Sequence, residues 1–252
     1  YDKAAQQLKT ALSRDANDGL SWFFLGVSHL RLADKNEAIR CAYKAVRCLG
    51  TASLGHDLAG RACMQLGDYL QAVKAFEKAV QLNPNDTKAK NHLLLALYAV
   101  GNTKLAYRNA KERIVQTPTD LVPRALIALQ NKGQMRRFVR QVRAFVGEDD
   151  FQMLEASLIF GELGLANEAA ELLLAVCVEA VPENERSPLP IYYLAYFASL
   201  QKDQTLVSAK AEAVAEKARA YLNQAAGIYK DFIFPSRPEA VEVFKYAIEE
   251  NP

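Results

Sequence analysis

Ala38, Ala72 and Ala106 stand 34 residues apart, and the same interval separates Gly26 from Gly60, Gly67 from Gly101, Ala45 from Ala79 and Pro84 from Pro118. A fixed period of this length narrows the fold more than any other feature of the chain. It marks a unit that cannot bury its apolar face alone and must stack on its neighbours. Such stacks present surface. The chain is therefore expected to hold a partner rather than transform a substrate.

The clearest unit runs from Ser53 to Asp86. In its first half, Leu54, Leu58, Ala59, Ala62, Cys63 and Leu66 recur at helical spacing. Gly67 then permits a left-handed helix end, and Asp68 is placed to cap the next helix. In the second half Tyr69, Ala72, Val73, Phe76, Ala79, Val80 and Leu82 share one broad face, and Pro84 stops the helix. The unit reads as an antiparallel helix pair.

Gly67, Asp68, Tyr69, Ala72, Phe76, Ala79 and Pro84 fall in a pattern that resembles the tetratricopeptide repeat. Trp22, Leu25, Gly26, Ala38 and Ala45 supply the other half of that signature one unit earlier. The resemblance implies an all-α, right-handed solenoid of antiparallel helix pairs, about seven pairs or 14 helices here. Small residues would let helices approach closely, with Trp22 and Phe76 filling the gaps between them. Residues 1–120 are expected to be regular units, the first one truncated. Residues 121–252 are expected to be divergent pairs that end in a truncated repeat and continue one solenoid.

The divergent part departs in specific ways. Asp120–Gly147 reads as a shortened pair with its turn glycine, Gly133, two residues early. Asp150–Val181 reads as a pair turning at Gly164, followed by a breaker-rich loop from Pro182 to Pro190. Ile191–Leu200 resembles a first helix. Its partner is expected from about Gln204 to Gly227, with Val207, Ala211, Val214, Ala218, Tyr221, Ala225 and Ile228 forming a four-three seam that packs along a neighbour or dimerises. Ser236 and Glu239 have capping-box spacing before a last helix. Ala240, Phe244, Ala247 and Pro252 match a second helix of the family, as do Tyr1, Ala4 and Ala11. Both ends are thus expected to be cut from a longer array, and sticky enough for self-association. The stretch FIFPSRPEAVEVFKYAIEENP also resembles part of large bacterial proteins that carry a β-rich domain before such repeats. That likeness implies an alternative role, as the non-catalytic arm of a larger carbohydrate-related protein or enzyme.

Composition excludes more than it assigns. The net charge of +2, from 31 basic and 29 acidic residues, gives no global pull toward nucleic acid or an anionic membrane. No apolar run reaches membrane-spanning length. Cys41, Cys48, Cys63 and Cys177 lie in apolar helical stretches without a CxxC pair, as buried small residues of a reduced protein do. That favours the cytoplasm. No nucleophile–base motif, phosphate loop or metal-ligand spacing occurs, so no catalysis, cofactor or metal is expected. His29 and Cys63 are equivalent positions one unit apart, too few for a metal site. His56 stands where the family has Trp, and His92 carries no signal of its own.

The expected partner is a protein or peptide, or another domain of the parent protein. The family's first helices line a concave groove, which implies lining by Phe23, Val27, Leu30 and Arg31, then Leu54, Asp57, Arg61 and Met64, then Lys88, Asn91, Leu95 and Tyr98. Leu154, Leu158, Tyr192 and Tyr196 extend it. Members that clamp a chaperone's C-terminal carboxylate use a Lys and Asn pair where this chain has Phe23 and Val27, so that clamp is broken. Arg136, Arg137, Arg140 and Arg143 form a basic stripe opposite Phe138, Val142 and Phe145. It is a candidate patch for an acidic partner or nucleic acid. The balanced charge disfavours nucleic acid, and Glu148, Asp149 and Asp150 stand ready to neutralise the stripe.

Overall fold

The computed structural model describes residues 1–49, 53–146, 150–200, 208–225 and 240–250. Among these are 14 α-helices and no strand. The helices gather into two compact units. The first comprises Tyr1–Gln116 with Glu162–Gly164, the second Thr117–Gly161 with Leu165–Pro252.

The first unit contains α1 (Asp2–Arg14), α2 (Gly19–Arg31), α3 (Lys35–Leu49), α4 (Ser53–Leu66), α5 (Tyr69–Leu82), α6 (Thr87–Ala99) and α7 (Thr103–Gln116). Each helix packs on the next, and the first helices α2, α4 and α6 also touch in sequence. Aspartates start α2, α5 and α6. Asp18 accepts from the backbone N–H groups of Leu20 and Ser21, Asp68 from Gln71 at 3.2 Å and Asp86 from Ala89 at 3.0 Å. Gly67 and Gly101 end helices at φ +78° and +87°. A Cβ on either would meet nothing within 4 Å, so glycine is needed there for the backbone angle and not for space.

Gly26 and Gly60 serve the opposite purpose. A Cβ on Gly60 would lie 2.5 Å from the Phe76 ring, and one on Gly26 would lie 2.6 Å from the Leu58 side chain. Both glycines and both partners are buried. The 34-residue rule thus specifies where helix axes must approach. Around these contacts Ala38, Ala42, Ala59 and Ala62 join Leu30 and Leu58 in one core cluster. Trp22 is half-buried, donates its indole N–H to Ala16 O at 2.8 Å and carries Lys44 Nζ 4.0 Å from its ring centroid.

The second unit contains α8 (Leu121–Ala128), α9 (Lys132–Val146), α10 (Phe151–Glu162, its last residue joining the first unit), α11 (Ala166–Leu173), α12 (Pro188–Ser199), α13 (Ala209–Ala225) and α14 (Ala240–Glu250). Several local expectations are corrected here. The turn between α8 and α9 is made at Asn131, whose side chain accepts from Gln134 N at 3.0 Å, and Gly133 lies within the first turn of α9. Gly164 does turn the chain, at φ +80°. The breaker-rich loop ends at Ser187, because Pro188 and Pro190 enter the first turn of α12, where a missing N–H costs nothing. The helix expected from Gln204 is described only as α13, which packs on α12 through buried Ala211, Val214, Ala218, Leu222 and Ala225. Val207, Ile228 and the Ser236 cap lie outside the described residues.

One feature of this unit has no sequence signal. After α11 the chain widens into a π-helical turn, Leu174–Val178, closed by the Glu179 N–H donating to Leu174 O at 2.8 Å. The Val176 carbonyl accepts from Arg143 Nε at 3.0 Å and from Arg143 Nη2. The Val178 carbonyl accepts from Arg186 at 3.1 Å. Arg143 also pairs with Asp150 at 2.8 Å. The unused carbonyls of a wide turn are satisfied by these guanidinium groups.

All four cysteines are free, and Cys41, Cys63 and Cys177 are buried. Burial pushes the Cys41 thiol up to about 11, and burial together with Asp150 pushes Cys177 well above its usual value. Such thiols are poor nucleophiles. Alkylation of the folded protein at mildly alkaline pH, read by mass spectrometry, is expected to modify half-buried Cys48 first and the other three only on unfolding. A second prediction concerns helix approach. Gly60→Ala should destabilise the chain by about 1–3 kcal/mol through overpacking, and Phe76→Ala by about 3–5 kcal/mol through the void it leaves. In urea titrations the Gly60→Ala cost should fall sharply in the Phe76→Ala background. Additive costs would show that the two sites do not share one contact.

Candidate functional site

The helical spacing of α2 puts Leu20, Phe23, Phe24 and Val27 on one stripe. Leu20 is 50% exposed and Phe24 53% exposed, and the Phe23 and Phe24 rings meet edge to face with centroids 5.3 Å apart. Phe23 and Val27 are half-buried against the core cluster below. Leu54, one repeat after Leu20, is 43% exposed on the adjacent helix α4. The first helices therefore carry an apolar surface at this end of the unit. Leu20 and Phe24 were not among the expected lining residues, although a 34-residue shift from Leu54 points to Leu20.

Farther along, the same face becomes charged. Asp57 on α4 pairs with Arg61 at 3.1 Å and with His92 Nδ1 of α6 at 2.6 Å. Arg31 and Lys88 reach Glu162 at 2.8 and 3.7 Å. Gln65 donates to the Glu162 backbone carbonyl at 2.9 Å, and the Gly164 Cβ position lies 3.8 Å from Met64 O. Burial raises the Asp57 carboxyl, but His92, Arg61 and Lys88 outweigh it and hold the group below its usual value. Burial likewise opposes Lys88, Arg31 and Arg61 at Glu162, and the cations prevail. Neither His92 nor Glu162 was foreseen as part of a site. An Asp–His pair can serve a base in catalysis, yet the His92 side chain is 0% exposed, so no substrate reaches it. Its ring lies instead against Phe76, tilted at 52° with centroids 5.3 Å apart.

The other expected lining residues divide by burial. Leu30, Arg61, Met64, Asn91 and Leu95 are buried, whereas Phe23, Val27, Asp57 and Tyr98 are half-buried and Arg31 and Lys88 are exposed. In the second unit Leu154 and Leu158 are buried. Tyr192 meets the Phe244 ring at 5.5 Å, and Tyr196 meets the Tyr246 ring at 6.3 Å. Both tyrosines are thus partners of α14.

The Arg stripe is shorter than its spacing implied. Arg136, Arg137 and Arg140 are exposed, but Arg143 is half-buried on the π-helical turn, held by Val176 and Asp150. Glu148 and Asp149 lie outside the described residues. Arg136 and Arg140, with Lys132, border an open groove of about 1220 Å³ whose far wall is α13. Among the described residues no group of three or more metal-ligating side chains gathers, and no helix is long and apolar enough to cross a membrane.

Comparison with known proteins agrees with this architecture. Residues 53–86 match the tetratricopeptide repeat family model. A solved tetratricopeptide repeat protein from Parabacteroides merdae ATCC 43184 is 14% identical, with 97% of this chain and 91% of that chain covered and a TM-score of 0.53. Pseudomonas aeruginosa pilF is 14% identical over 94% of this chain and 99% of its own, at a TM-score of 0.46. YrrB, described as a TPR protein with an unusual peptide-binding site, is 16% identical over 96% and 99%, at 0.44. The likeness to the Parabacteroides merdae protein is one of fold. No curated protein matches the sequence. Residues 53–86 thus form a complete repeat of the tetratricopeptide repeat family, set among helix pairs that share the fold of a solved protein of that kind.

Proposed function

We propose that this chain is a protein-interaction scaffold whose first-helix face at α2 and α4 takes an extended or helical segment with apolar anchors. One observation carries this reading. Leu20, Phe24 and Leu54 are large apolar side chains left about half exposed, in line with half-buried Phe23 and Val27, on a face that stacked repeats offer to ligands. Exposed apolar surface of this continuity is costly in water unless something uses it. Aromatic anchors supply most of the energy of such interfaces.

The neighbouring charges fit the same role. Arg61 and His92 pair with Asp57, and Arg31 and Lys88 pair with Glu162, so most of the charge on this part of the face is already matched. Binding energy then has to come from the apolar stripe, with the charged region setting where a segment stops.

The test is a selection of random peptides on the folded chain. Selected peptides should carry at least two large apolar residues. Their affinity should fall about 30-fold or more in Phe23→Ala and Phe24→Asp variants that keep wild-type helicity by circular dichroism. Peptides that bind both variants as tightly as wild type would reject the site.

A further inference from the structure

We propose that the groove between α9 and α13 is a second docking site, specific for an amphipathic helix with an acidic edge on a partner protein. It lies within the second unit and does not depend on the α2–α4 reading.

The groove exists because α9 packs on the π-helical turn while α13 packs on α11 and α12, which leaves about 1220 Å³ open between the two helices. Its walls differ in charge. On α9, Lys132, Arg136 and Arg140 succeed one another at four-residue intervals, which sets three cations in a row about 6 Å apart along the helix. All three are exposed, and no described residue pairs with them. On the α13 side the cations are already matched, Lys210 with Glu171 at 2.7 Å and Lys217 with Glu179 at 2.5 Å. Between the walls the floor is apolar, with Leu174 and Val214 buried and Met135 and Val139 half-buried.

This combination selects an occupant. An apolar floor needs an apolar stripe on the ligand, and one cationic wall needs acidic groups along one edge only. An amphipathic helix presents both, at matching i, i+4 spacing. The volume holds roughly ten helical residues, about three turns. A nucleic-acid strand fits poorly. It would place phosphates near Glu171 and Glu179 and would find no exposed aromatic ring in the floor to stack on. The same residues account for the Arg stripe without asking the whole chain to be basic.

The probe is a synthetic helical peptide of about fourteen residues, with leucines on one face and glutamates at i, i+4 and i+8 along its edge. Its affinity for the full chain is measured by fluorescence anisotropy, beside a glutamine version and a single-stranded DNA oligonucleotide. The acidic peptide is expected to bind in a salt-sensitive way. Affinity should drop about tenfold or more for the glutamine peptide and for Arg136→Glu/Arg140→Glu. Val139→Asp should weaken both peptides alike. Arg136→Gln/Arg140→Gln, which removes charge without reversing it, guards against a folding effect, and melting curves of all variants should overlay. No binding of the acidic peptide, or equal binding to wild type and the Glu variant, overturns the proposal. So does tighter binding of the oligonucleotide that the Glu variant abolishes, which would assign the stripe to nucleic acid.

Discussion

Close approach of helix axes is the constraint on which the first unit depends. Gly60 leaves room for the Phe76 ring and Gly26 for the Leu58 side chain, at distances no Cβ could tolerate. Large and small residues are exchanged where the pattern changes. The positions equivalent to Gly60 and Phe76 one repeat on are Leu94 and Ala110, both buried, so the sum of the pair is kept while its members trade size. Gly161 does the same in the second unit, with its Cβ position 2.4 Å from the Phe197 ring. Packing by complementary size, and not a particular residue, is the rule that survives where the 34-residue period fades.

Stacking of this kind consumes one face of each helix and frees another. In the first unit the freed face is apolar around Phe24 and becomes a closed set of ion pairs around Asp57. In the second unit it is a groove with one charged wall. The two surfaces have different chemistry, and under the two proposals above they would hold two kinds of segment. The carboxyls of Asp57 and Glu162, held below their usual range by neighbouring cations, are largely buried, as is the Cys177 thiol that burial pushes well up.

How much of this was legible in the sequence follows from how local each cause is. Gly67 and Asp68 act within one turn, and the helix ends they imply are the ones observed. The pairing of α4 with α5 follows from spacing that a single repeat contains. Glu162 could not be read, because its partners Arg31 and Lys88 lie far away in sequence and no period connects them. His92 was silent for a similar reason, since its partner Asp57 stands 35 residues earlier on another helix. Arg143 looked like its neighbours until the π-helical turn offered it the Val176 carbonyl, and nothing in LAVCV announces that turn. The contacts of Tyr192 and Tyr196 with Phe244 and Tyr246 could not be read, because α14 follows a stretch with no repeat pattern.

The central claim is that the exposed apolar stripe on the first helices is a binding surface. Hydrogen exchange of the chain, measured with and without a peptide selected for binding, tests it most directly. The account predicts that added protection is concentrated in α2 and α4, over residues 19–31 and 53–66, and leaves α12 and α14 unchanged. Protection centred on α12 and α14, with α2 unaffected, would contradict it.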